Sequence, residues 1–310
     1  MTSNPFSEFD LQGRIDRLFV YPIKSCAGIE LREVAVWETG LDLDRAWMVV
    51  DAHGEFVSQR EYPRMALIKP QIKGNDLILR APGMLALHVR IDAVQGCVQA
   101  TVWSDTVHAF DMGDIAAQWS TDFLSLSPAG QPVVGAAPHR LVRFDPDHPR
   151  YSNTAWTGGV DAPNQFSDGF ALLVLGAASM DDLNARLAQA GEVAVGVERF
   201  RPNIVVSGWD AHDEDRADVV HVSLGDSAEG AATQGDRVIL KLVKPCVRCP
   251  IPNIDPATAN STPGVGDTLQ IYRQDPRMDG RVTFGMNAIV LQGGGTMLRV
   301  GQVVGGNLVF

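Results

Sequence analysis

One stretch of this 310-residue chain decides its fold: Val238-Ile-Leu-Lys-Leu-Val-Lys-Pro-Cys-Val-Arg-Cys-Pro-Ile-Pro-Asn-Ile-Asp-Pro256. Residues 238–243 are mostly β-branched or apolar and predict a strand. Two prolines follow Cys249 within three positions and forbid a regular helix there. The sequence therefore places Cys246 and Cys249 on an irregular loop after a strand, with Lys244 and Arg248 close enough to favour the thiolate form.

Several readings of this cysteine pair stay open from the residues alone. A closed zinc site would need two further ligands that no second pair supplies, and a thioredoxin-like motif would need a helix after the strand. A thiolate on a fixed loop suits a soft metal. Two partly buried cysteines with ordinary packing roles would explain the pair equally well.

Composition excludes several classes of function. The chain has 26 basic and 37 acidic side chains, a net charge of −11, which disfavours binding to nucleic acid or to an anionic membrane surface. Its four cysteines are too few for a disulfide scaffold. No apolar run is long enough to span a bilayer, and residues 1–14 are too polar for a signal peptide. We therefore expect a cytoplasmic protein without a membrane anchor.

The length predicts two domains, and the pattern of short apolar runs between glycine and proline turns predicts that both are mainly β. In the first unit, β-like runs at 18–23, 34–38, 47–50, 77–79 and 98–103 precede a helix at 114–126. Residues 127–138 gather prolines and glycines, so we place the boundary there, with domains at 12–135 and 136–310.

The second unit is predicted to hold one secure helix. Ser179 to Asp182 resembles a capping box and Gly191 a C-terminal stop. Strands are predicted at 204–207, 238–243, 269–272, 288–291 and 300–304, and the acidic segment 210–218 is predicted to be a solvated loop. The expected fold class is mainly β with a few helices (α+β).

The cysteine segment resembles the metal-binding signature of MOSC proteins, the group that includes the mitochondrial amidoxime-reducing components. In that family the pattern K-P-C-x-R-C is followed by D-P, as in residues 244–256. Other segments are similar too, in the same order: Tyr21-Pro-Ile-Lys-Ser-Cys26, Asp44-Arg-Ala-Trp47, Phe166-Ser-Asp168, Phe200-Arg-Pro-Asn203 and Phe284-Gly285. The resemblance implies an N-terminal β-barrel domain followed by a MOSC β-barrel domain.

The resemblance also implies a molybdenum cofactor, in which molybdopterin carries the metal. Cys249 would be the metal ligand and Cys246 a neighbour of uncertain role. Lys24, Ser25 and Arg45 would hold the phosphate of the cofactor, and Arg201, Asn203 and Arg248 its pterin. Asp168 would lie near the metal as a catalytic residue that relays protons, a task suited to a carboxylate with a raised pKa. From the residues alone, Arg45 could instead stack on Trp47, Asn203 could satisfy backbone groups, and Asp168 could cap a turn.

The implied activity is that of an oxidoreductase that reduces N-hydroxylated or related N-oxygenated small molecules. No cysteine follows Cys249, so we expect electrons from a separate redox protein of the ferredoxin or flavoprotein type. The alternative is a sulfur-transfer or cofactor-carrier module that uses Cys249. The substrate pocket can differ from that of relatives, because Pro250-Ile-Pro-Asn253 replaces a hydroxyl-rich stretch.

Overall fold

The fold is described from a computed structural model for residues 6, 8–126, 131, 137–224 and 237–309. Its strands are β1 (Leu11–Val20), β2 (Ile29–Leu31), β3 (Glu33–Trp37), β4 (Gly40–Leu41), β5 (Trp47–Val50), β6 (Lys69–Lys73), β7 (Asp76–Arg80), β8 (Leu87–Arg90), β9 (Gly96–Val102), β10 (Asp105–Asp111), β11 (Arg140–Phe144), β12 (Arg150–Tyr151), β13 (Pro163–Asn164), β14 (Leu172–Gly176), β15 (Ile204–Ser207), β16 (Ala217–Ser223), β17 (Arg237–Val247), β18 (Gln274–Asp275), β19 (Arg281–Gln292), β20 (Thr296–Arg299) and β21 (Val303–Leu308). The helices are α1 (Asp114–Leu124), α2 (Thr154–Thr157), α3 (Ala177–Gln189) and α4 (Gly264–Tyr272), with 3-10 turns at Pro63–Leu67, Val197–Arg199, Asp213–Asp215, Ile251–Asn253 and Pro276–Met278. The predicted fold class, mainly β with a few helices, is confirmed.

Seven strands close a barrel in the order β14, β15, β1, β21, β16, β17 and β19, because β19 also pairs with β14. Only the β14–β15 pair is parallel. The barrel is filled by aliphatic side chains such as Leu18, Val174, Ile204 and Leu240, each at most 1% exposed. Burial of this apolar surface is the main term that stabilises the barrel.

The first unit contributes a four-stranded sheet (β5-β11-β10-β9) and a three-stranded sheet (β6-β7-β8), with α1 packed on them. Its core includes Trp47, Leu77 and Phe123, all fully buried. Two strands lie in the other unit from the one that their position in the sequence predicts. β1 belongs to the barrel, although it precedes the first unit's sheets, and β11, which follows the predicted boundary, pairs with β5 of the first unit. The domain boundary between residues 135 and 136 stays a prediction, and residues 132–136 lie outside the described part.

Most predicted elements are confirmed, with corrections at several positions. Residues 269–272 are not a strand but the end of α4, in which Val265 and Leu269 are buried one helical turn apart while Ile271 is 84% exposed. The last strand begins at Val303 rather than at residue 300. A short apolar run fits the periodicity of a helix and of a strand equally well. Contacts with the surrounding elements therefore decide which of the two forms.

Two further corrections concern polar residues. Helix α3 begins at Ala177, and the Ser179 side chain does not cap it but donates to Glu214 Oε2 at 2.8 Å. Segment 210–218 is not fully solvated, because Asp213 and Glu214 are buried in a 3-10 turn. Burial raises the pKa of Glu214. The predicted stop at Gly191 is confirmed by its φ of +77° just after α3 ends.

β17 extends to Val247, past the predicted end at residue 243, so Cys246 lies in this strand and not on the loop after it, while Cys249 lies beyond the strand. The neighbouring strand β19 has a bulge opposite Cys246. Pro245 pairs with Met286 and Val247 with Thr283, so the single residue Cys246 lies opposite the two residues Phe284 and Gly285. Gly285 has φ +77°, which glycine adopts without strain. A bulge bends the strand that contains the extra residue and increases the local twist, here in β19 beside the end of β17.

None of the described helices is both long and apolar enough to cross a bilayer.

We predict that Gly285→Ala destabilises the protein more than a matched glycine variant does. A Cβ there would add left-handed strain and would lie 3.0 Å from the Val174 carbonyl oxygen. Gly280 has a similar φ, +73°, with no atom within 4 Å of the added Cβ, so Gly280→Ala reports the strain alone. We expect Gly285→Ala to lose about 1–2 kcal/mol more unfolding free energy than Gly280→Ala in urea titrations. Equal losses would show that the close approach at the bulge has no energetic role.

Candidate functional site

A cavity of about 540 Å³ opens where the barrel meets the first unit, a size in the range of small-molecule sites. All eight residues singled out in the sequence line it: Lys24, Ser25, Arg45, Asp168, Arg201, Asn203, Arg248 and Cys249. They come from five separate stretches of the chain. The pairing of β1 with β15 brings the first unit's residues next to those that precede β15.

Lys24 and Asp168 form an ion pair in the wall of this cavity. Lys24 is 5% exposed, and its ammonium group also donates to the Phe166 carbonyl at 2.9 Å. Burial lowers the pKa of Lys24 against the opposing pull of Asp168. The buried lysine is thus held in one position by a carbonyl and a carboxylate.

The electrostatics of Asp168 differ from the expectation for a proton relay. Partial desolvation by the cavity wall would raise the pKa of Asp168, although its side chain is exposed, but the charge and hydrogen bond of Lys24, with a hydrogen bond from Trp103 Nε1 at 3.2 Å, bring the pKa well below its usual range. The raised pKa expected for a proton donor is therefore wrong. At neutral pH Asp168 is an ionised carboxylate that anchors Lys24.

Two arginines enclose one buried tyrosine. Arg45 Cζ lies 4.4 Å from the centroid of the Tyr21 ring and Arg201 Cζ lies 4.2 Å from it, so Arg45 stacks on Tyr21 and not on Trp47. Both arginines have positive φ, 50° and 58°. Such backbone strain is typical of positions that hold ligands.

Arg45 has more acceptors than Arg201, because it donates to Asn203 Oδ1 and to the Arg201 carbonyl, each at 3.1 Å, in addition to Asp44. Asp44 Oδ2 accepts from Arg45 at 2.5 Å, and the Cys26 carbonyl accepts from Arg201 at 2.5 Å. The Nη2 atom of Arg201 is buried without a hydrogen-bond partner. Burial, with the charge of Arg45, lowers the pKa of Arg201 to about 10. A cation in this state would be stabilised by an anionic ligand.

Asn203 joins three strands and one of the arginines. Its side-chain oxygen accepts from the Leu173 backbone and from Arg45, each at 3.1 Å, and its amide donates to the Phe19 carbonyl at 3.2 Å. Both lone pairs of the oxygen are used inside the protein. Satisfying backbone groups, the plainer of the two expectations, is therefore one role of Asn203.

The two cysteines differ in their surroundings. Cys246 is the second-last residue of β17 and is partly buried. Its Sγ accepts a hydrogen bond from Arg248 Nη1 at 3.0 Å. Cys249 is exposed. Arg248 also donates to the Phe200 carbonyl at 3.0 Å, while its Nε is buried without a partner. The guanidinium group thus ties the cysteine segment to the segment that precedes Asn203.

The loop after Cys249 is held by the aspartate of the D-P pair. Asp255 Oδ1 accepts from the Ala257 backbone at 2.7 Å, and its other oxygen lies 3.5 Å from Arg199 Nη2. Arg199 also donates to the Pro252 carbonyl at 3.2 Å. These contacts fix the loop that follows Cys249.

The cavity is strongly cationic although the chain is acidic. Its basic lining residues are Lys24, Arg45, Arg60, Arg201, Lys244, Arg248 and Arg281. Asp168 is the one acidic residue among the described residues that line it. Sequence reasoning gave no cavity role to Arg60, Trp103 or Arg281, because no motif marks them. Lys244 was noted only as a neighbour of the cysteines.

Comparison with known proteins agrees with this geometry. Residues 12–127 match the MOSC N-terminal beta barrel domain and residues 161–305 match the MOSC domain. Human mitochondrial amidoxime-reducing component 1 is 32% identical over 306 residues, covering 94% of this chain and 82% of that protein. Human mitochondrial amidoxime reducing component 2 is 31% identical over 272 residues, covering 84% and 72%. The chain therefore belongs to the MOSC-domain family that includes the mitochondrial amidoxime-reducing components.

Proposed function

We propose that the chain is a molybdenum-cofactor oxidoreductase that reduces N-hydroxylated small molecules with electrons from a separate redox protein. The observation that carries the proposal is the cationic cavity of an acidic chain, with seven basic side chains and one carboxylate, into which the cysteine segment opens. Such a lining suits an anionic ligand with many acceptors, as molybdopterin is. The relatives named as amidoxime-reducing components support the choice of substrate class.

The residues of the cavity fit this cofactor. The terminal phosphate would be held by Lys24, Ser25 and Arg45. The pterin would be held by Arg201 and Arg248, and each of these two arginines has a buried nitrogen without a hydrogen-bond partner among the described residues. Asn203 would contribute by positioning Arg45, to which its oxygen is bonded at 3.1 Å.

Cys249 is the proposed metal ligand, since it is exposed at the cavity while Cys246 already accepts a hydrogen bond from Arg248. Thiolate ligation suits molybdenum as a soft metal centre. Bound there, the cofactor would supply a two-electron redox centre able to take oxygen from an N–O bond. Arg248 would keep the neighbouring sulfur of Cys246 in place through its 3.0 Å hydrogen bond.

Asp168 has two tasks in this proposal. It neutralises and orients Lys24, and as an ionised carboxylate it would accept a proton before it could give one. Solvent reaches it, because its side chain is 74% exposed. The proposed location in the cytoplasm and the type of electron donor stay predictions from the sequence.

The metal ligand can be tested with Cys249→Ala. We expect loss of reductase activity toward a hydroxylamine or amidoxime, with the fold and much of the pterin retained, because the phosphate and pterin contacts come from other residues. Molybdenum by elemental analysis, pterin by fluorescence of its oxidised form, and turnover are measured together. Cys97→Ala, at an exposed cysteine outside the cavity, is the matched control.

Full activity in Cys249→Ala would overturn the assignment, and Cys246→Ala would then be the variant to compare. If the wild-type protein holds stoichiometric molybdenum and pterin yet turns over no N-hydroxylated compound with a chemical reductant, the carrier function of Cys249 replaces the catalytic one.

The sharing of the cofactor between the two units can be tested with the double variant Lys24→Ala, Arg45→Ala. Both cations come from the first unit, and each charge-assisted bond to a phosphate contributes roughly 1.5–3 kcal/mol. We expect molybdenum and pterin content to fall and the melting temperature to drop, since a ligand that binds only the native state stabilises it. Arg90→Ala is the control, because Arg90 is an exposed arginine paired with Asp92. A folded double variant with unchanged cofactor content would confine the site to the second unit.

A further inference from the structure

A second cluster of chemically active side chains lies outside the cavity described above. It consists of His108 on β10, Asp145 directly after β11, and His148 three residues later. Among the described residues it is the one group of three or more histidine, cysteine or acidic side chains spaced to hold a metal ion. None of the three lines the cationic cavity.

The two imidazole rings are stacked face to face, with centroids 3.9 Å apart and planes inclined by 12°. The candidate ligand atoms of the three residues all lie within 4.8 Å of one another. Tetrahedral zinc with bonds of about 2.0–2.1 Å to nitrogen needs ligand atoms roughly 3.3 Å apart. Because both histidines are exposed, we expect their side chains to rotate and close that difference when a metal binds.

Asp145 is the buried member of the cluster and contacts His148. Its side chain is 7% exposed, and its Oδ2 lies 2.9 Å from His148 Nδ1, while its Oδ1 accepts from the Asp147 backbone at 3.0 Å. The Asp145 backbone in turn donates to the His108 carbonyl at 3.3 Å. A carboxylate at Nδ1 keeps the proton on that nitrogen and leaves the lone pair of Nε2 for a metal, the arrangement usual around zinc-binding histidines.

We propose that this cluster binds a divalent transition-metal ion of the zinc class, with His108 and His148 as imidazole ligands and Asp145 orienting His148. Imidazole nitrogen selects this class over magnesium or calcium, which prefer oxygen. Both histidines line a cavity of about 480 Å³, which leaves room for water or another small ligand beside the metal.

The charges around the cluster favour a cation. The nearest guanidinium in that cavity, Arg150, is neutralised by Asp105 through a 2.6 Å hydrogen bond to Oδ2. Asp147, also in the wall, adds a further carboxylate. The metal would therefore enter a region with excess negative charge, in contrast to the cationic cavity.

The test uses Zn²⁺ titrated into the full chain as purified, with calorimetry for affinity and stoichiometry. We expect one ion to bind the wild type, and the double variant His108→Gln, His148→Gln to bind it at least tenfold more weakly. His88→Gln, at an exposed histidine on β8, should bind as the wild type does. Because metal competes with protons for imidazole, the affinity should also be lower in acidic than in neutral buffer.

Binding of Zn²⁺ at the cysteines is separated by a parallel titration with Co²⁺. Cobalt at the proposed cluster gives an absorption spectrum without a thiolate charge-transfer band, and that spectrum should be lost in the double variant. The proposal is overturned if the wild type binds no zinc below about 1 mM, if the double variant binds it unchanged, or if the cobalt spectrum is that of thiolate ligation alone. Both histidines are on the surface, so circular dichroism is expected to show the double variant folded.

Discussion

The structure depends on the insertion of the first strand into the barrel. β1 pairs with β15 on one side and with β21 on the other, and Leu18 lies opposite Ile204. The chain leaves β1 at residue 20 and then supplies residues 21–25, which are forced to lie beside residues 201–203. Without this pairing the two halves of the cavity would have no fixed relation, because their residues lie about 180 positions apart in the chain. The strand hydrogen bonds thus fix the geometry of the site as well as the barrel.

Charge is the second constraint. Seven cations around one cavity repel one another, and the low dielectric of a partly buried site strengthens that repulsion. Aromatic rings and carbonyl groups compensate these charges more often than acidic side chains do. Arg45 and Arg201 both lie over the Tyr21 ring, and the Phe166 carbonyl accepts a hydrogen bond from Lys24. Buried guanidinium nitrogens of Arg201 and Arg248 remain without partners. An arrangement of this kind is least costly when an anionic ligand is bound.

Particular residues show where local pattern is sufficient and where it fails. Trp47 to Val50 and Ile204 to Ser207 were predicted as strands and form with those bounds, because β-branched or aromatic residues repeat between clear turn signals. Residues 269–272 were predicted as a strand but form the end of a helix, because these four positions alone do not show that α4 begins at Gly264. Asp168 was expected to have a raised pKa, and the approach of Lys24, 144 positions away, is the main cause that reverses the direction. Ser179 was predicted to cap a helix, but its partner Glu214 is distant in sequence.

The sequence by itself determined the family, the mainly β class and the eight residues that share one cavity. Several motifs in a fixed order identify these features without knowledge of the three-dimensional structure. It also determined that the chain after Cys249 cannot continue as a regular helix, but it placed Cys246 on the loop, whereas the strand extends to Val247 and includes that cysteine. Only the tertiary structure decided that β1 completes the barrel, that the bulge at Gly285 faces Cys246, and that Arg45 stacks on Tyr21. These depend on contacts between residues far apart in the chain, and both pKa shifts and side-chain stacking are set by such neighbours rather than by local sequence.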